Sequence, residues 1–128
     1  MARRLRITGV FLMGLCAALA LGLTYTWDGG GGANIRWDYC PNWDLEDMTP
    51  CWPSQGTDTA IIPAVLSHPD PWSINLVNAT IQNATIGWNV NFGAADPGAV
   101  LHLSELQIQS ASAVEVTIAG GAQITTAP

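Results

Sequence analysis

Apolar and polar residues alternate in short β-branched runs through the C-terminal part of this chain. From residue 58 onward the text reads "TAIIP", "INLV", "ATIQNATIG", "AVLHLSELQIQ" and "AVEVTIAGGAQIT", broken by Gly, Asn, Asp and Pro. Period two is the signature of half-buried strands, and Val114, Val116 and Ile118 alternating with Glu115 and Thr117 show it most plainly. No window there carries a helical stripe. Between residues 26 and 56 the pattern is different: Trp and Tyr stand among prolines, glycines and acids with no sustained period, which predicts loops.

The strands repeat. Laying "TIQNATIG" (80–87) over "HLSELQIQ" (102–109) at an offset of 22 puts Ile81 on Leu103, Ala84 on Leu106 and Ile86 on Ile108. Ile61 lies 20 residues before Ile81, and Ile124 lies 21 after Leu103, so the period is 20–22 residues. Repeats of that size in β-rich sequence suit a solenoid, in which equivalent positions stack into one continuous core. The fold expected is all-β, a right-handed parallel β-helix of about three coils over residues 58–128. An antiparallel β-sandwich is the alternative, since short strands with frequent turns fit it too, although a Cys-Trp-Cys core pattern is missing.

Ahead of the strands stands "TWDGGGGANIRWDYCPNWDLEDMTPCWP" (26–53). The first coil of a solenoid exposes unpaired backbone and an open apolar core, and something must cover it. Residues 25–57 are therefore expected to form a cap, with Trp27, Trp37 and Trp43 as its core. Cys40 and Cys51, the two cysteines beyond the leader, are expected to staple it as a disulfide.

Residues 1–24 read as an export signal: "MARRLR" supplies three arginines and "ITGVFLMGLCAALALGL" an apolar run without charge. With Ala18 and Ala20 as a cleavage signal, the mature chain is expected to be secreted or to sit on the cell surface, with no membrane attachment left. Removing the signal leaves Arg36 as the single basic side chain against ten acidic residues. Such a surface repels nucleic acid and anionic lipid, whose binding rests on clustered Lys and Arg.

The segments "TW" at Thr26 and Trp27, "NW" at Asn42 and Trp43, and "PSQGTDTAIIP" (53–63), followed by "ATIQNATIG" and "LHLSELQIQ", resemble the N-terminal region of secreted bacterial β-helix proteins of the autotransporter-repeat and pectin-lyase-like type, including planctomycete-like surface proteins. The resemblance implies a parallel β-helix. Its functions range from adhesins and matrix proteins to carbohydrate-active modules, so it fixes architecture more than activity.

Candidate chemistry is sparse. Asp44, Glu46 and Asp47 in "WDLEDM" supply oxygen ligands of the kind calcium takes, with Asp28, Asp38 and Asp58 within reach of a folded cap. Their spacing matches neither the EF-hand loop nor the calcium-binding nonapeptide, so a solvated acidic loop is the simpler reading and no cofactor is expected. No nucleophile elbow is present, and His68 and His102 have no metal-ligand spacing. Trp72 in "HPDPWS" and Trp88 in "GWNVNFG" fall between strands, where a ring could face a saccharide. The function expected is that of a non-enzymatic structural or adhesive protein; the alternative is a carbohydrate-binding or carbohydrate-active module with its catalytic coils outside this chain. Partners expected are extracellular polysaccharide, further coils, or a second copy through the C-terminal edge.

Overall fold

The computed structural model describes residues 22–64, 70–110 and 113–126. Most of the expected signal segment and His68 lie outside these residues. Eight strands appear in chain order: β1 Thr24–Thr26, β2 Thr59–Ile62, β3 Trp72–Leu76, β4 Ala79–Ile86, β5 Val90–Ala94, β6 Val100–Ile108, β7 Val116–Ile118 and β8 Gln123–Thr126. One turn of 3-10 helix, Cys40–Asn42, is the helical element among the described residues.

The strands form two sheets, ordered β1-β2-β4-β6-β8 and β3-β5-β7. From β2 onward the chain alternates between them. Every ladder between these strands is parallel, which removes the antiparallel sandwich. Parallel neighbours need a crossover, and from β2 onward each crossover contains a strand of the other sheet where a helix is more usual.

Stacking follows from the register. In the first sheet Tyr25, Ala60, Ala84 and Leu106 form one row, and Ile62, Ile86 and Ile108 another. In the second, Trp72, Val90 and Val116 align, as do Ile74, Phe92 and Ile118. These rows point into the core, where Ile62, Ile74, Leu76 and Val90 are fully buried. The pairing of Ile81 with Leu103, Ala84 with Leu106 and Ile86 with Ile108 is the 22-residue offset read from the sequence. The flanking registers differ from that reading. Ile61 pairs with Thr85 and not Ile81, and Ile124 pairs with Leu101 and not Leu103. Two strands fall where none was expected, β1 next to the expected signal segment and β5 from Val90 in "GWNVNFG" to Ala94.

The segment before β2 closes the first edge of both sheets. β1 lies along β2, and Trp27 N continues that ladder by donating to Ile61 O at 2.9 Å. Residues 35–37 run along β3: Asn75 N donates to Ile35 O at 2.8 Å, and Trp37 N to Asn75 O at 2.8 Å. The disulfide Cys40–Cys51 ties the loop between these contacts, with its Cα atoms 5.2 Å apart.

Candidate functional site

Two features stand out: a tryptophan-packed end with a cavity, and an opposite end where the apolar rows become exposed among the described residues. At the first, Trp43 is the centre. Trp27, Trp37 and Tyr25 meet it edge to face, with ring centroids 5.1, 4.8 and 6.3 Å away. Edge-to-face packing sets the positive rim of one ring against the negative face of the next. All four rings are buried. Trp43 Nε1 donates to Trp37 O at 2.7 Å and Trp37 Nε1 to Pro53 O at 3.0 Å. Trp27 Nε1 is buried and has no partner. An unpaired buried donor costs about 1–3 kcal/mol, so this nitrogen is an exception to explain.

The glycine run is shaped around Asn42. This buried side chain donates from Nδ2 to Asn34 O at 2.8 Å and to Arg36 O at 3.1 Å, and its Oδ1 accepts from Gly31 N at 2.8 Å. A methyl group on Gly31 would stand 2.5 Å from that oxygen, so the close approach needs glycine. Gly29 has φ of 67°, which side-chain-bearing residues resist. Between this loop and the start of β3 lies a cavity of about 310 Å³, lined in part by Trp27, Gly29, Gly32, Asn42, Trp72 and Ser73.

Trp72 and Trp88, expected between strands, are placed differently. Trp72 is the first residue of β3 and is buried, with Nε1 donating to Pro63 O at 2.9 Å; one edge of its ring lines the cavity. Trp88 is half-buried after β4 and donates from Nε1 to Asp70 O at 3.2 Å, on the rim of the same cavity.

The acidic residues serve the backbone. Asp44 Oδ1 accepts from Thr26 N at 2.8 Å and Asp28 Oδ1 from Gly30 N at 2.9 Å, while Asp38 pairs with Arg36 at 2.9 Å. Glu46 and Asp47 are exposed. Arg36 also reaches Asp96 at 3.4 Å, and these two carboxylates, Asp38 first, hold its guanidinium pKa above the usual value. Among the described residues no three His, Cys, Asp or Glu side chains are grouped to hold a metal.

Sequence reasoning placed Asp58 only among the acids within reach of a calcium site and missed its structural role. It is 2% exposed, and its carboxylate accepts three backbone N–H groups: Leu23 at 3.1 Å on Oδ1, Ser54 at 3.0 Å and Gln55 at 2.8 Å on Oδ2. Its carbonyl oxygen takes Gln82 N at 2.8 Å and Asn83 N at 3.3 Å. One residue thus joins the entry to β1, the end of the cap, β2 and the bend in β4. An aspartate just before a β-branched run was the available signal.

At the opposite end each core row runs out. Ile62 and Ile86 are buried, but Ile108 is 53% exposed. Ala60 and Ala84 are buried and Leu106 is 39% exposed; Ile74 and Phe92 are buried and Ile118 is 45% exposed. β8 and β7 are the outermost strands of their sheets there, among the described residues. Comparison with known protein families, with curated proteins and with solved structures finds no match for this chain.

Proposed function

We propose that the chain is the capped start of a right-handed parallel β-helix and acts as a non-enzymatic structural or adhesive protein outside the cell, of the secreted bacterial kind its sequence resembles. The observation that supports this most is the pair of parallel sheets visited in alternation, with apolar rows buried at the cap and exposed at the other end. One end is covered by tryptophans and by backbone pairing to both sheets. The other offers strand edges beside Leu106, Ile108 and Ile118, and such edges are templates for further strands.

Because residues 35–37 and the tryptophan-packed segment already lie against the first strands at the covered end, the opposite edge is the one that pairs with its own kind in a second copy. Its surroundings carry little charge to oppose that, since Glu105 and Glu115 are the only acidic residues after Asp96. Light scattering on the purified exported chain tests the reading: a concentration-dependent dimer supports it, and a strict monomer at high concentration removes it. Incubation with acidic and neutral polysaccharides tests the non-enzymatic part, which product formation would overturn.

A further inference from the structure

We infer that β8 is the strand through which two copies of the chain join, antiparallel and about a two-fold axis at Ile124, so that Gln123 of one copy lies opposite Thr125 of the other. The inference rests on the self-association proposed above and names the strand and register that carry it.

Shape selects β8. β6 pairs with β4 as far as Ile108, whereas β8 covers only residues 100–103 of β6. β8 therefore stands one strand spacing, about 4.8 Å, beyond the edge of residues 104–108. If two copies met through residues 106–108, β8 of each would be driven into the body of the other before those edges came within bonding distance. About an axis in β8 the projecting strands meet each other first.

The backbone selects the register. Gln123 N donates to Ala99 O at 3.0 Å, so Gln123 turns its backbone groups towards β6. Alternation along the strand turns those of Ile124 to the open side, where N–H and C=O exchange bonds with Ile124 of the second copy. The side chains agree with this. Ile124 is half-buried and pairs with the buried Leu101, and the join continues that apolar row through Ile124 of the second copy. On the outward face Gln123 meets Thr125, a neutral contact that needs no new bond, since the Thr125 hydroxyl is already bonded to His102 Nδ1 at 2.8 Å. β8 holds no lysine, proline or carboxylate, and its register with β6 runs without a bulge, so the usual devices that protect a strand edge are missing from it. No like charges are opposed when the same four residues, Gln123–Thr126, face themselves.

The test is cross-linking of the full exported chain. Opposed residues of a non-hydrogen-bonded antiparallel pair have Cα atoms about 4.5 Å apart, within reach of a disulfide. Gln123→Cys mixed with Thr125→Cys and mildly oxidised should give a covalent dimer joined between positions 123 and 125, located by mass spectrometry, and in higher yield than either variant alone. The double variant Gln123→Lys with Thr125→Lys, both at exposed positions, sets lysines opposite each other. It should raise the dimer dissociation constant at least about tenfold with an unchanged circular dichroism spectrum, while Gln107→Lys should leave the constant as it is. If the double variant does not fold, the cysteine pair reads the register by itself. Dimers joined through other positions, or dimers that the paired lysines do not weaken, overturn this register and leave the proposed self-association standing. A strict monomer at high concentration overturns both.

Discussion

Replacing Asp58 with alanine is expected to cost more than any other single change to a charged residue described here. The carboxylate is buried and accepts three backbone N–H groups from residues as far as 35 positions away. Hydrogen bonds to an ionised acceptor contribute about 1.5–3 kcal/mol each. Leu23 and Ser54 are half-buried and Gln55 exposed, so water recovers part of the loss, and Asp58→Ala should cost about 3–5 kcal/mol. Against a domain stability of about 5–15 kcal/mol that is a large share. Urea unfolding followed by tryptophan fluorescence reads it directly, because the buried rings of Trp27, Trp37 and Trp43 report on the same end of the molecule. With a slope of about 2 kcal/mol per molar, the midpoint should fall by about 2 M. Asp58→Asn keeps the shape and an oxygen for two of the donors, but turns an NH₂ against the third, so its midpoint should fall in between. Asp44→Ala, which removes one bond from an exposed carboxylate, is the comparison and should shift the midpoint far less. A fall of less than about 0.5 M for Asp58→Ala would show that the three contacts do not hold the cap, and the reasoning would be wrong.

Trp43→Ala, at the centre of the ring cluster, should cost about 3–5 kcal/mol by the same unfolding assay, as large core truncations do. Mass spectrometry without reduction should find Cys40 and Cys51 joined and neither of them alkylatable, and reduction should lower stability by about 2–3 kcal/mol for a sequence separation of 11. Burial first, and then the negative charge of Asp58, raise the Tyr25 phenol above its ordinary 10.0, and its hydroxyl donates to Pro50 O at 2.8 Å. The folded chain keeps that proton longer than the unfolded chain, so the contribution is full below pH 10 and is lost as the pH rises past it. The melting temperature should therefore drop in strong alkali, and Tyr25→Phe should flatten that drop.

How legible was this in the sequence? β4 and β6 were, because the same apolar residues recur in both at an offset of 22. The neighbouring registers were not, for a physical reason: strand side chains repeat every two residues, so a slip of two or four leaves the inward face apolar. Ile124, 23 residues from Leu101, is such a slip of two; Ile61, 24 residues from Thr85, instead alternates with the buried Ala60 and Ile62, so Ile62 takes the inward row in its place. β5 was hidden by the Asn and Gly in "VNFGA", and Trp72 by its prolines. The burial of Trp27, Trp37 and Trp43 follows from their bulk beside the first strand. The cavity was beyond reach, and of the Asp58 junction only an aspartate before a β-branched run was visible, since each joins residues far apart in the chain through backbone groups that leave no mark in side-chain pattern.

Closing the N-terminal end with its own segment gives the chain a direction of assembly. Synthesis delivers the N-terminus first. The cap completes its backbone pairing as soon as β2 and β3 are in place, because that pairing is with Ile61 and Asn75. Each later strand then arrives at a finished ladder of the correct chirality and needs to find only that one neighbour. Growth of this kind is templated, like the extension of a crystal from a seed. An early error in the cap spreads to every layer, whereas an error in β7 or β8 stays where it occurs.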